Sequence, residues 1–233
     1  MTIQTEPDHE KEGVIKYQLH FHKMALSDYN ASHPVFTRQK FEDLLEVLNT
    51  SRTQLKEAGL IGQDAARYNG DGFGNISVRL EDERLLISGS QTGHLSTLSI
   101  NDVAVIDSFD LKLNQLVAFG VTKPSSESLT HGVCYQTYNH IKAVVHVHSP
   151  DIWQALESLG LPYTAQNIPY GTPEMAEAVR ELLVTHHQEG QPTIFGMKGH
   201  QDGVVALGKS LTKCTSSLLE CLNQTMFHKR SSR

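Results

Sequence analysis

Residues 143–148 read Ala-Val-Val-His-Val-His, and this short run constrains the chain more than any other feature. Apolar and histidine positions interleave in it as they do along a β-strand. Residues two apart on a strand point to the same face, so His146 and His148 can converge on one ion. Zinc takes imidazole nitrogens as ligands, and a catalytic zinc site keeps one coordination position open. Taken alone, the pair reads more readily as two satisfied histidines than as a metal site.

The rest of the pattern supplies a sheet and helices around that strand. Helical spacing runs over 36–58 through Phe41, Leu44, Leu45, Leu48 and Leu55, and Gly59 is the expected stop. A glycine-rich turn at 69–75 opens into a strand at 76–80, with 85–88 as its hairpin partner. Further strands are expected at 103–106, 116–119, 193–197 and 203–207, and a short one within 14–25. Helices are expected at 126–140, 150–159, 173–186 and 210–227. The prediction is a single α/β domain with a central, mostly antiparallel or mixed β-sheet flanked by helices. It spans 36–228 behind an N-terminal extension, 1–35, that is partly disordered.

Bulk properties narrow the function. A chain of 233 residues can bury one large core. A formal charge of −6 disfavours nucleic-acid binding, which needs a basic excess. No apolar stretch approaches bilayer length, and the polar N-terminus does not resemble a signal peptide. Cys134, Cys214 and Cys221 have no CxxC spacing and read as reduced thiols, so a cytoplasmic protein without membrane partners is expected.

Three other stretches carry donors or carboxylates. Pro124-Ser125-Ser126-Glu127 precedes a predicted helix; it could bind an anion and move protons, or simply be a serine cap with glutamate in the first turn. Gly74-Asn75-Ile76-Ser77 and Ser88-Gly89-Ser90-Gln91-Thr92-Gly93 offer close backbone approach and polar donors, and either could be an ordinary hairpin turn. His200, in Gly199-His200-Gln201-Asp202-Gly203, could be a third ligand or a polar loop residue.

Taken in order, GNISVR (74–79), LLISGSQTG (85–93), SSESLTH (125–131), AVVHVHSP (143–150) and GHQDGVVALGKSL (199–211) resemble the class II aldolase/adducin family, which includes the zinc-dependent L-fuculose-phosphate aldolases. The resemblance covers roughly residues 40–225. It implies a three-layer αβα domain and a Zn2+ ion, or another divalent transition metal, held by His146, His148 and His200. Glu127 would be the catalytic glutamate. Asn75, Ser88, Gly89, Ser125 and Ser126 would form the phosphate cradle. The implied reaction is retro-aldol cleavage of a small sugar or sugar phosphate through a zinc-stabilised enediolate, in a homotetramer with interfacial sites.

The same resemblance leaves open a dehydratase like those acting on methylthioribulose phosphate, or a non-catalytic module like the adducin head. Epimerases of the family resemble the chain less, because they usually carry aspartate where Glu127 stands. Two departures stand out. Gln201 and Asp202 intervene where the family often has Gly directly after the third histidine. No tyrosine follows Tyr170, whereas the fuculose-phosphate aldolases place a catalytic tyrosine in their tail. His131, on the Glu127 helix, is a weaker candidate for a supporting role. Tyr135, Tyr138 and Trp153 are expected to pack.

Overall fold

A computed structural model describes residues 14–231 apart from Val35 and Asp82. Its elements in chain order are β1 (Gln18–Lys23), α1 (Leu26–Ser32), α2 (Arg38–Glu57), β2 (Gly62–Gln63), β3 (Gly72–Phe73), β4 (Asn75–Arg79), β5 (Leu85–Ser88), β6 (Val103–Asp110), β7 (Gln115–Gly120) and α3 (Ser128–Thr137). There follow β8 (Ala143–His148), α4 (Pro150–Gln154), β9 (Tyr163–Thr164), α5 (Pro173–His186), β10 (Thr193–Met197), β11 (Gly203–Gly208) and α6 (Leu211–Ser231).

Among the described residues nine strands form one sheet in the order β1-β7-β6-β5-β4-β8-β11-β10-β9, while β2 and β3 pair separately. The seven strands from β7 to β10 run antiparallel to their neighbours; β1 joins β7 and β9 joins β10 in parallel, so the sheet is mixed only at its edges. Part of the extension therefore belongs to the sheet: β1 lies inside the 14–25 stretch expected to hold a strand. Residues 1–13 of that extension, and with them the disorder expected there, lie outside the described residues.

The alternation of β8 and β11 sorts the core into two layers. Val145, Val147, Val204 and Ala206 pack with Leu48 and Leu55 of α2 and Leu218 of α6. Val144, Val205 and Leu207 pack on the opposite side with Val133 of α3 and Val179 and Leu183 of α5. With helices on both faces the sheet is the middle of three layers. The period of two then places His146 and His148 on the Val144 face, toward α3.

Some expected boundaries shift. The 150–159 helix is α for five residues and then becomes turns that end at Gly160, whose φ is +65°. Gly59 ends α2 as expected, with φ at +70°.

Candidate active site

The register of β8 explains how distant residues meet. β4 and β11 flank it, pairing Asn75 with His146 and Gly203 with His148. His200 lies in the turn just ahead of β11, so it arrives beside the end of the His-Val-His strand. Each of His146, His148 and His200 offers a ligand nitrogen, and these nitrogens all lie within 4.8 Å of one another. Their ring centroids are 4.8–5.0 Å apart, and each side chain is at most 3% exposed. Burial, followed by the adjacent His148 and His200, pushes the His146 pKa well below that of a free imidazole, so His146 is neutral.

A neutral ring with a spare electron pair is what a divalent metal requires. His146 Nε2 is buried without a hydrogen-bond partner, which is costly for a polar atom unless something completes it. The Asn75 side-chain amide lies 3.3 Å from His146 Nδ1. The contact ties the His146 ring to β4, the strand paired beside it. The three histidines thus fit a metal ion by chemistry and by spacing.

Glu127 reaches the same place from α3. The sequence pattern put a serine cap before it and the glutamate in the first turn; instead Glu127 is itself the N-cap residue and no side chain caps the helix. The Ser125 hydroxyl accepts from Glu127 N–H, and the Ser128 hydroxyl donates back to Ser125 O, closing a local turn that displaces the helix start by two residues. The Glu127 carboxylate is 1% exposed. Thr130 donates to Oε2 at 2.8 Å, and Oε1 lies 3.6 Å from His200 Nδ1.

Asn75, Gly89, Ser125 and Ser126 line a small cleft together with Ser90, Gln91, Thr92 and Gly93. The two loops are zipped by main-chain contacts, with Gly89 bridging Pro124 and Ser90 N–H donating to Lys123 O. A side chain at Gly89 would meet Thr122 Cγ2 at 2.6 Å and Asp102 O at 2.9 Å, so only glycine lets the loops close. Ser88 stands apart: its hydroxyl accepts from Ile76 N–H and it does not line the cleft.

Several residues that matter here were not singled out from the sequence. Arg52 of α2 is 2% exposed and donates to Thr92 O, Gly93 O, Leu95 O and Ser96 O, bracing the wall of the cleft. Tyr17 donates to Ser125 O. Tyr170 stacks on His200 at 4.3 Å, with Lys16 Nζ 3.8 Å above the tyrosine ring. Tyr68 meets the His148 ring edge-on at 4.7 Å. A buried arginine on an otherwise amphipathic helix is the one of these with a sequence signal, because such a charge demands partners. His131 is fully buried, and its Nδ1 lies 2.7 Å from the Ser77 hydroxyl, which also meets Tyr135 OH at 2.8 Å. The Gln201-Asp202 insertion closes a turn, with Gly203 N–H donating to His200 O, and leaves His200 among the histidines.

A second, larger cleft of about 660 Å³ is lined by His200 together with Arg67, Tyr68, Asn69, Tyr170, Gln201 and Asp202 among others.

Comparison with known proteins agrees with this geometry. Residues 63–225 match the model of the class II aldolase and adducin N-terminal domain. A 3-oxo-tetronate 4-phosphate decarboxylase from Haemophilus influenzae is 33% identical over 163 residues, covering 62% of this chain and 70% of the relative. A methylthioribulose-1-phosphate dehydratase from Granulibacter bethesdensis is 40% identical over 76 residues, only 33% of either chain. The crystal structure of L-fuculose-1-phosphate aldolase from Thermus thermophilus superposes with a TM-score of 0.57 at 21% identity, over 81% of this chain and 95% of that one. At that identity the likeness speaks for the fold.

Proposed function

Because the chain belongs to the class II aldolase and adducin family, we propose that it is a zinc-dependent lyase that cleaves a carbon–carbon bond of a small sugar phosphate by the retro-aldol route. The observation that carries this reading is the convergence of three buried histidines and one buried carboxylate beside a cleft of hydroxyls and main-chain N–H groups.

In this reading His146, His148 and His200 hold the ion. A bound ion would supply Lewis acidity toward a ketone oxygen. The remaining work falls to the protein. Asn75, Gly89, Ser125 and Ser126 bind the phosphate through neutral donors, which suits an anion in a chain with no cationic side chain lining that cleft. Glu127 moves the proton. Thr130 fixes Oε2, so Oε1, the oxygen nearer the histidines, does the exchange. Ser88 is assigned to the cradle's backbone, holding β4 against β5 through Ile76.

A decarboxylase is the second reading, favoured by the Haemophilus relative, whose name describes loss of carbon dioxide from a keto sugar-acid phosphate. Retro-aldol cleavage and this decarboxylation both break a bond one carbon from a ketone and leave an enediolate. They differ in the group that departs. We further assign the enzyme to the cytoplasm, in keeping with its three buried free thiols, and to a homotetramer.

The test is a product screen on the zinc-loaded protein with ketose 1-phosphates and 3-keto acid 4-phosphates, reading aldehyde, carbon dioxide and loss of water separately. Aldehyde release that Glu127→Gln lowers by about 100-fold or more, with zinc content unchanged, supports the retro-aldol reading. Carbon dioxide release replaces it with the second reading, and loss of water with a dehydratase. No turnover together with no retained metal leaves an adducin-like binding module. Light scattering at micromolar concentration checks the tetramer.

A further inference from the structure

We propose that Tyr68 and Asp202 form a specificity pair in the larger cleft, selecting substrates whose non-phosphorylated end is neutral and hydroxylated; this rests on the sugar-phosphate reading above. The pair joins the two segments flanking the histidines. Tyr68 lies between β2 and β3, and Asp202 belongs to the insertion after His200. Tyr68 OH donates to Asp202 Oδ2 at 2.8 Å across 134 residues of sequence.

The arm carrying Tyr68 is held firmly. Arg67 donates to Gly59 O, to Tyr68 OH and to His148 O, and its guanidinium lies 4.2 Å from the Phe73 ring centroid. Ser149 N–H donates to Asp202 O, tying the insertion to the end of β8. Tyr68, Asn69 and Asp202 all adopt left-handed backbone, with φ of 49°, 56° and 61°. Asparagine and aspartate tolerate that region, but a tyrosine there is strained and persists only when its surroundings hold it. Three such residues line one cleft with His200.

The chemistry of the wall follows from the hydrogen bonds. Tyr68 OH receives from Arg67 and gives to Asp202, so both partners orient it. Tyr68 occupies Oδ2 of Asp202, and Oδ1 remains to accept from a ligand hydroxyl. Arg67 directs three of its five N–H groups to Gly59 O, Tyr68 OH and His148 O, so most of the guanidinium is committed to the protein and Asp202 is the carboxylate acceptor the wall offers. A hydroxyl is therefore accepted, an alkyl or thioether end leaves the carboxylate unsatisfied, and a second carboxylate is repelled.

Three ketose 1-phosphates sharing one head group and ending in hydroxymethyl, methyl or carboxylate test the pair on the full-length, zinc-loaded protein. Calorimetry reads Kd and a product assay reads turnover. The wild type should bind the hydroxylated probe about tenfold or more tighter than either analogue. Asp202→Asn should raise affinity for the carboxylated probe, and Tyr68→Phe should bring the hydroxyl-to-methyl ratio within about threefold. Zinc content and melting temperature verify that each variant folds; should Asp202→Asn not fold, Tyr68→Phe carries the test. Equal binding of all probes by the wild type, binding of none, or variants that weaken all three equally overturns the pair. Selective binding without turnover overturns the lyase reading and leaves the pair standing.

Discussion

The hydroxyl of Tyr17 donates a 2.8 Å hydrogen bond to the carbonyl oxygen of Ser125, joining the segment ahead of β1 to the loop that carries Ser125, Ser126 and Glu127. Burial raises the Tyr17 pKa, so the phenol stays a donor at every working pH. The next residue upstream, Lys16, places its ammonium over Tyr170, which stacks on His200. The N-terminal segment thus touches the site from two directions.

Removing that hydroxyl should loosen the loop without touching the chemistry. Ser125 O also accepts from Ser128 N–H and Oγ, so it is not orphaned and the cost of Tyr17→Phe stays at about 1 kcal/mol. On the proposed phosphate-binding role of Ser125 and Ser126, the expected kinetic signature is a KM raised several-fold with kcat nearly unchanged, because such binding is felt in ground and transition states alike. A kcat loss of the same size as the KM change would instead place Tyr17 in the positioning of Glu127.

Arg52 makes a sharper demand on stability. It is buried, burial lowers its pKa, and its guanidinium meets only main-chain oxygens of residues 92–96. Arg52→Met keeps the aliphatic stem but abandons those carbonyls, costing about 2–3 kcal/mol. For a domain of this size that lowers Tm by roughly 4–12 °C. Thermal denaturation followed by circular dichroism measures it. A shift under about 2 °C would mean that water replaces the guanidinium and the loop holds itself.

These two residues show where the sequence was legible and where it was not. β8, α5 and β10 run where the apolar spacing placed them, because burial on one or two faces writes its period directly into the chain. The histidine pair was legible for the same reason: a strand fixes which residues share a face. His200 needed the family pattern, since nothing local distinguishes it from other loop histidines. Tyr17 and Tyr68 were not legible at all. Their roles depend on partners 108 and 134 residues away, and a hydrogen bond at that separation leaves no periodicity. The start of α3 was missed because Ser125 folds back on Glu127 and Ser128, a local competition that cap statistics do not resolve.

His131 makes the fold acid-sensitive. Burial pushes its pKa down from 6.5 to about 3. Between those values the unfolded chain binds a proton that the folded chain refuses, so stability falls as pH falls. The contribution is complete above pH 6.5 and gone by about pH 3, with a slope of at most about 1.4 kcal/mol per pH unit. His131→Gln removes the titration. Urea unfolding of metal-free protein at pH 7, 6, 5 and 4 should give a shallower decline for the variant by about 1 kcal/mol per unit. Parallel curves would show that His131 is protonated in the fold.

The histidine cluster itself predicts a metal-dependent stability. Three nitrogens within 4.8 Å of one another, all buried, are spaced to hold an ion in the folded state and scatter when the chain unfolds. Free zinc at about 100 times its Kd should then stabilise the protein by about 2.7 kcal/mol, and a chelator should remove that increment. His146→Ala with His148→Ala should abolish the zinc-dependent shift in Tm and the bound metal found by elemental analysis. The double variant also deletes two rings that crowd one another and His200, so its metal-free Tm should drop less than an equally buried apolar pair would cause. A zinc-dependent shift that survives in the double variant would move the metal away from β8 altogether.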